Sequence, residues 1–115
     1  MFTKEKLNYK DIVPFLTEKE KKQNKWIWDM KVPQQQFYET IYENKFFEIC
    51  EDDGQQKGDL LFLREWDGNK YTGHWLKCTI LYVWRGEEES IERGLEKGFC
   101  VIGFLIKSAD NYDAL

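Results

Sequence analysis

The sequence has 115 residues, of which 42% are hydrophobic and 17% aromatic. This length suits one domain and is too short for two, and the apolar content argues against a chain that is disordered throughout. Seventeen basic and 21 acidic residues give a net charge of −4, which disfavours a protein that coats nucleic acid by neutralising phosphates. A site that reads one nucleotide or a short unpaired strand needs only a local basic patch, so this class of function stays open.

Neither a membrane segment nor a secretory signal is visible in the sequence. No apolar run approaches the roughly 20 residues of a membrane span, and the first residues lack the apolar core of a signal peptide. We therefore expect a cytoplasmic protein with no membrane partner. The three cysteines, Cys50, Cys78 and Cys100, fit neither a disulfide framework nor a paired metal motif. We predict no metal or other cofactor, and we interpret Cys78 and Cys100 as small buried hydrophobic residues.

Residues 1–25 are predicted to form an extension that precedes the main domain. They are polar and rich in lysine, except for an apolar island at residues 12–16. Thr17 and Glu20 form a capping-box pattern, which predicts a short exposed helix after the island. The island either docks onto the main body or serves as a partner-binding arm. The main domain is expected to occupy residues 26–107.

A strand and the main helix are predicted next. Residues 26–32 alternate in side-chain character with a period of two, which predicts a strand. Pro33 follows at a position that is favoured as the first residue of a helix. Apolar and aromatic residues then recur at three- and four-residue spacing through residues 34–44, which predicts a helix. We interpret its aromatic stripe as core rather than as a ligand site.

The rest of the chain is predicted to be mainly β. The predicted strands are residues 45–50, 59–66, 71–84 (or 73–84) and 99–106. The pair Asp67 and Gly68 predicts a hairpin between the second and third of these, and Gly103 predicts a bulge or bend in the last.

The connections complete the predicted order of strand, helix, strand, hairpin, loop and strand. The acidic residues 87–89 are interpreted as a solvated loop, followed by a helical turn at residues 90–93, and residues 108–115 as a polar tail. Short aromatic-rich strands tend to curl. We therefore predict a mostly β, α+β domain in which one main helix joins a small curved sheet or β-barrel.

The stretch from Lys45 to Gly73 matches a known pattern. Lys45 and Glu48 precede the run GDLLFLREW at residues 58–66, and YTG follows at residues 71–73. Together with WDMK at residues 28–31 and GFCVI at residues 98–102, this order resembles the ASCH domains, a branch of the PUA-like β-barrels, and more closely a bacterial and phage subgroup of uncharacterised proteins. The resemblance covers about residues 26–106 and implies a PUA-like fold.

Three positions depart from the subgroup pattern. Glu43 stands where the pattern has Gly, Cys50 where it has Arg, and Trp28 where it usually has His. Loss of the Arg removes a rigid five-donor fork that is well suited to a phosphate or a base edge. The resemblance therefore implies an inherited site whose ligand binding is altered or lost.

The resemblance implies binding of short single-stranded RNA, a nucleotide or a modified nucleobase. Lys45 and Arg64 would hold a phosphate or base carbonyl, Glu48 would accept a hydrogen bond from a base amino group, and Tyr71 or a Trp would stack on the base. On an ideal strand Lys45 and Glu48 face opposite ways unless a bulge or the helix junction redirects one of them. The candidate ligand-binding residues are Lys45, Glu48, Lys57, Arg64, Glu65, Tyr71 and Thr72.

Two other classes of function stay open. Some ASCH proteins resemble amidohydrolases of acylated cytidine. Lys45 would then polarise the amide and Glu48, which stands where those proteins have Thr, would activate water. His74, the only His, is interpreted as a surface residue rather than an acid or base, so no catalytic residue is assigned beyond the candidates Lys45 and Glu48. The third class is an interaction protein, such as a phage-encoded inhibitor of a host enzyme, which the acidic balance favours.

Overall fold

The structure is a computed structural model that describes residues 3–6, 17–19 and 26–110. Its strands form one six-stranded sheet, which curls into a half-barrel and confirms the predicted mostly β, α+β class. The helix α1 (Gln34–Tyr42) follows the second strand, and a 3-10 helix (Glu88–Arg93) joins the last two strands. The strands are β1 (Thr3–Lys6), β2 (Ile27–Pro33), β3 (Phe47–Glu51), β4 (Leu60–Trp66), β5 (Tyr71–Arg85) and β6 (Phe99–Ala109).

The order of the strands across the sheet differs from their order in the chain. The spatial order is β1, β2, β4, β5, β6 and β3, so β1 and β3 form the two edges. β2 and β4 pair in parallel, and the other pairs are antiparallel. Within the described part of the chain, no helix has the length and hydropathy needed to cross a membrane.

The hydrophobic core lies on one face of the sheet, which we call the inner face. Phe37 and Ile41 of α1 pack against it, because they belong to the same buried cluster as the inner-face residues of the strands. Cys78 and Cys100 are fully buried there, as predicted. The inner-face residues include Trp28, Met30, Val32, Leu61, Leu63, Leu76, Ile80, Ile102 and Phe104.

Part of the aromatic and aliphatic content lies on the opposite, outer face. Around Gly103, the strands β3, β5 and β6 present a group of apolar side chains that are between 37% and 64% exposed. The register places them on neighbouring strands. These residues are Phe47, Ile49, Tyr82, Phe99 and Leu105. The high aromatic content therefore does not serve the core alone.

The amino-terminal segment contributes a strand that the sequence did not predict. β1 pairs with β2 in antiparallel register, so part of the predicted extension belongs to the sheet. Its sequence, TKEK, lacks the apolar alternation that predicts a strand. The strand forms nonetheless, because strand pairing uses backbone groups that every residue type except proline carries in full. Glu18 and Lys19 are helical. The remainder of the predicted helix and the apolar island at residues 12–16 lie outside the described residues.

The boundaries of several elements differ from the predicted ones. Pro33 ends β2 and holds the N-cap position of α1, rather than the first helical position. β6 continues to Ala109, so the first residues of the predicted polar tail pair with β5. The predicted irregularity near Gly103 is a bulge in β5, because Leu81 is the extra residue between the pairs that align Ile80 with Phe104 and Tyr82 with Gly103.

The Trp that replaces the pattern's His keeps a hydrogen-bond donor. The indole Nε1 of Trp28 donates to Asp59 Oδ2 over 2.9 Å, and the backbone N–H of Gln56 donates to the same oxygen over 3.0 Å. Both Trp28 and Asp59 are buried. Asp59 thus ties β2 to the loop that precedes β4.

Asp59→Ala is expected to lower the free energy of unfolding by about 2 kcal/mol, because it leaves a buried indole N–H and a backbone N–H without their acceptor. Asp59→Asn is the matched control, since it keeps an acceptor oxygen and should cost less. Urea unfolding measures both variants. Equal losses would show that the hydrogen bonds do not account for the effect.

Candidate functional site

Lys45 and Glu48 meet where α1 connects to β3. Lys45 Nζ lies 2.8 Å from Glu48 Oε1. β3 begins only at Phe47, so Lys45 lies before the strand and the alternation of strand side chains does not apply to it. The residue before it, Asn44, has a φ of 58°. This turn redirects Lys45, and the two candidate residues form one ion pair.

Replacement of the glycine of the subgroup pattern by Glu43 has no conformational cost at this turn. Glu43, which replaces it, caps the helix with a φ of −118°, which any residue adopts. The left-handed conformation falls instead on Asn44, and asparagine tolerates it better than most residues. The backbone N–H groups of Glu43 and Lys45 both donate to the carbonyl of Glu39, so the end of the helix holds Lys45 in place.

Glu48 is a carboxylate on the inner face of an edge strand. It pairs in register with Ile102, and directly opposite residues share a face. Glu48 is 1% exposed, whereas Lys45 is 20% exposed. Oε1 contacts Lys45, but no residue in the described part of the chain offers a hydrogen bond to Oε2. One oxygen of a buried carboxylate thus has unused capacity to accept a hydrogen bond.

The surroundings of Glu48 raise its pKa. Burial raises the pKa of Glu48 above its ordinary value of 4.5, the hydrogen bond and charge of Lys45 lower it without reversing the shift, and the charge of Glu39 raises it further. The folded protein therefore binds this proton more tightly than the unfolded chain does. The resulting contribution to stability is complete below the unfolded pKa and is lost as the pH rises through the folded pKa.

Glu48→Gln removes this titration and should change the pH dependence of stability. The difference in unfolding free energy between the variant and the parent is expected to shift in favour of the variant as the pH rises above 4.5, and to level off above the folded pKa. Urea unfolding of both proteins at a series of pH values measures it. A difference that stays constant across the series would contradict a raised pKa of Glu48.

Arg64 and Tyr71 form a second group, which lies on the outer face. The guanidinium carbon of Arg64 lies 3.8 Å from the centroid of the Tyr71 ring, and Arg64 Nη1 lies 3.0 Å from Asp29 Oδ2. Lys31 Nζ lies 3.9 Å from the centroid of the Trp66 ring, and Trp66 meets Tyr71 edge to face. We call Asp29, Lys31, Arg64, Trp66 and Tyr71 the outer-face cluster.

The candidate residues therefore divide between the two faces of the sheet. Arg64 and Glu65 are consecutive in β4, so their side chains point to opposite faces. Glu65 is buried and accepts a hydrogen bond from the hydroxyl of Thr72 over 2.7 Å. Thr72 lies in the stretch of β5 where the register with β4 shifts. The structure thus brings the candidates together as three pairs: Lys45 with Glu48, Arg64 with Tyr71, and Glu65 with Thr72.

The remaining candidate, Lys57, stands apart from these pairs, as does His74, which was interpreted as a surface residue. Lys57 is an exposed residue in the turn before β4. His74 Nδ1 lies 2.8 Å from Asp110 Oδ2, while Asp110 Oδ1 accepts a hydrogen bond from the backbone N–H of Trp75. Asp110 therefore anchors the start of the predicted polar tail to β5. No three His, Cys, Asp or Glu side chains within the described ranges form a group that could hold a metal ion.

Sequence reasoning missed two members of the outer-face cluster. Asp29 and Lys31 alternate with apolar residues in the predicted strand and were not candidates, yet Asp29 is 4% exposed and pairs with Arg64. The contact depends on the parallel pairing of β2 with β4, in which Lys31 aligns with Arg64. Only the alternation that places Asp29 and Lys31 on one face was visible in the sequence.

Comparison with known proteins places most of these elements in one family. A family model described as a domain of unknown function, DUF3850, matches residues 27–104. The match begins at β2 and ends within β6, so it includes every candidate residue. A search of curated proteins gives no match.

Proposed function

Because the chain belongs to the DUF3850 family, whose description assigns no activity, we propose its function from the site. The protein is a binding module for a nucleotide or a modified nucleobase, free or within short single-stranded RNA. The Lys45–Glu48 pair contacts the base. The resemblance to ASCH domains supports the class of ligand, and the geometry of the pair supports the place.

The free acceptor capacity of Glu48 carries the proposal. Its Oε2 is buried and has no hydrogen-bond partner among the described residues. A buried polar atom without a partner costs free energy that a ligand donor can recover. The exocyclic amino group of a base is such a donor, and it is the group that carboxylates read in nucleic-acid recognition.

Lys45 complements this acceptor. Its ammonium has three donors, one of which is directed at Glu48, and a base carbonyl or a phosphate can accept a hydrogen bond from this group. Its side chain is also the more exposed member of the pair, and rotation of a flexible lysine stem uncovers the carboxylate behind it. A ligand that offers an amino donor next to a carbonyl acceptor fits both residues at once.

The outer-face cluster would contribute to binding of an RNA strand but not of a mononucleotide. Arg64 and Lys31 lie on aromatic rings, an arrangement that suits a phosphate backbone and stacked bases. The cluster lies on the opposite face from Glu48, so a single nucleotide cannot use both. Arg64→Gln should leave mononucleotide affinity unchanged and should weaken binding of a short RNA that reaches both faces.

Calorimetric titration with nucleosides, modified nucleosides, nucleotides and short single-stranded RNA tests the proposal. Glu48→Gln is expected to weaken binding about tenfold or more, because it removes the charge that strengthens the hydrogen bond to the amino donor. Glu51→Gln is the matched control, since Glu51 lies on the same strand and is exposed. Absence of binding at millimolar ligand, or equal affinities for the parent and Glu48→Gln, would overturn the assignment.

The raised pKa of Glu48 favours an amidohydrolase as the second candidate. A carboxyl with a raised pKa is a better general base near neutral pH. Glu48 would take a proton from water as the water oxygen attacks the amide carbon of an acylated cytidine. Lys45 would donate a hydrogen bond to the carbonyl oxygen, and the C–N bond would then break with the proton passing to the leaving amine. A turnover assay tests it, and an unchanged rate in Lys45→Ala would remove the assignment.

A further inference from the structure

Cys50 and Cys100 face each other across the two strands at one edge of the sheet. They are direct partners in the register of β3 with β6, and their Sγ atoms lie 3.7 Å apart. Cys50 is 7% exposed and Cys100 is fully buried. Cys50 is also the residue that replaces the pattern's Arg, so this departure creates a pair of thiols.

The backbone geometry at this pair allows a covalent bond. Phe104 N–H donates to the Phe46 carbonyl, and Asp52 N–H donates to the Gly98 carbonyl. In an antiparallel ladder these bonds recur at every second residue, so Cys50 and Cys100 form a hydrogen-bonded pair with Cα atoms about 5.5 Å apart. That separation lies inside the range found for disulfides. Closing the sulfur distance of 3.7 Å needs rotation of both side chains and a small approach of β3 to β6, because the Cβ atoms of a hydrogen-bonded pair lie farther apart than those of a disulfide.

Gln55 places polar atoms beside both thiols. It is fully buried, its Nε2 lies 3.7 Å from Cys50 Sγ, and its Oε1 lies 3.9 Å from Cys100 Sγ. An amide N–H stabilises a thiolate, and an amide oxygen accepts a thiol proton. Cys78, the third cysteine, is fully buried on the same inner face, and burial raises the pKa of its thiol. Cys50 and Cys100 therefore have polar groups of Gln55 beside their sulfur atoms, whereas Cys78 is buried within the core.

We propose that Cys50 and Cys100 are a dithiol that peroxide converts to a disulfide. The Cys50 sulfur, which is the more exposed of the two, attacks one oxygen of hydrogen peroxide; the O–O bond breaks, and the leaving hydroxide takes the thiol proton to form water. The Cys100 sulfur then attacks the sulfur of the Cys50 sulfenic acid, and the S–O bond breaks with release of a second water. Two thiols lose two electrons and two protons, and one peroxide becomes two waters.

The disulfide joins the edge strand β3 to the neighbouring strand β6. β3 pairs with β6, and no strand of the described residues lies on its other side. The bond lies on the inner face of β3, as does Glu48. Oxidation therefore fixes the strand that carries Glu48, and reduction by a dithiol restores its freedom. The thiol chemistry itself does not depend on whether the site binds a nucleotide.

Quantitative thiol analysis of the folded protein tests the inference. The protein is treated with hydrogen peroxide, its remaining thiols are alkylated in denaturant, and intact mass and peptide mapping identify the products. We expect the loss of two of the three thiols, a mass lower by about 2 Da, and a peptide pair that joins Cys50 to Cys100. Dithiothreitol should return all three thiols.

The matched variants are Cys78→Ala and Cys100→Ser. Cys78→Ala should form the same disulfide, whereas Cys100→Ser should form no internal disulfide and should hold Cys50 as a sulfenic acid that a dimedone probe labels. Peptide mapping of the parent protein keeps the inference testable if either variant fails to fold. Retention of all three thiols by the parent under peroxide, or a disulfide that includes Cys78, would overturn the assignment.

Discussion

Lys45→Met is expected to lower the free energy of unfolding at pH 7 by about 3 kcal/mol, the lower end of the range for breaking a buried ion pair. The variant keeps the aliphatic stem but removes the ammonium. Glu48, which is 1% exposed, then loses the hydrogen bond that Lys45 donates to its Oε1. The partial exposure of Lys45 places the expected loss at the lower end of the range, because solvent screens the pair.

The pH dependence of this loss identifies its cause. Without Lys45 the pKa of Glu48 rises further, since the hydrogen bond and charge that lower it are gone. Neutralisation of Glu48 at low pH removes the penalty of an unpaired buried charge. The difference between parent and variant should therefore grow as the pH rises from about 4 to about 8. Urea unfolding at each pH measures it.

A matched control and a double variant complete the test. Lys57→Met removes an exposed lysine that is near in sequence, and its effect should stay within about 0.5 kcal/mol. Lys45→Met combined with Glu48→Leu should recover part of the loss, because neither charge is then buried alone. A loss in Lys45→Met that does not vary with pH would show that packing of the lysine stem, rather than its charge, stabilises the fold.

Phe37→Ala is expected to lower the free energy of unfolding by about 3 to 5 kcal/mol, which is typical of removing a fully buried aromatic side chain. Phe37 has no exposed surface and belongs to the buried cluster that joins α1 to the sheet. The substitution leaves a cavity between helix and sheet, and the surrounding side chains relax into it only in part. A loss of this size approaches the whole stability of a small domain.

Phe37→Ala should also disturb the Lys45–Glu48 pair. The carbonyl of Glu39 in α1 accepts hydrogen bonds from the backbone of Glu43 and Lys45, so a loosened helix no longer holds Lys45 against Glu48. Tyr38→Ala is the control on the same helix, because Tyr38 is half exposed, and it should cost about 1 kcal/mol or less. Thermal and urea unfolding measure both variants. Similar losses for the two would contradict the packing of α1 through Phe37.

The candidate residues lie on two faces of the sheet, so one small ligand cannot contact all of them. The resemblance to ASCH domains suggested one site that includes Lys45, Glu48, Arg64 and Tyr71. In the structure, Arg64 contacts both Tyr71 and Asp29, on the opposite face of the sheet from Glu48. We therefore expect the Lys45–Glu48 pair to bind a small ligand alone, and the outer-face cluster to contribute only when the ligand is long enough to pass the edge of the sheet.

Local patterns determined the elements and the order in which they follow one another. The alternation in β2, the helical spacing of α1 and the Asp-Gly hairpin between β4 and β5 are short-range signals, so each could be recognised without knowledge of the rest of the chain. The burial of Cys78 and Cys100 followed for the same reason, because both lie within apolar runs. The pattern of residues 58–66 and 71–73 likewise pointed to a curved sheet.

Only the tertiary structure decided which strands are neighbours, and with them the partners of each candidate residue. The pairing of β1 with β2 depends on backbone groups, which every sequence carries. The contact of Arg64 with Asp29 depends on parallel pairing across 35 residues, and the facing thiols of Cys50 and Cys100 depend on a register across 50 residues. The Lys45–Glu48 pair depends on one left-handed turn at Asn44. Strand register and the local path of a turn are set by the packing of the whole sheet, so sequence spacing alone could propose these residues but could not assemble them.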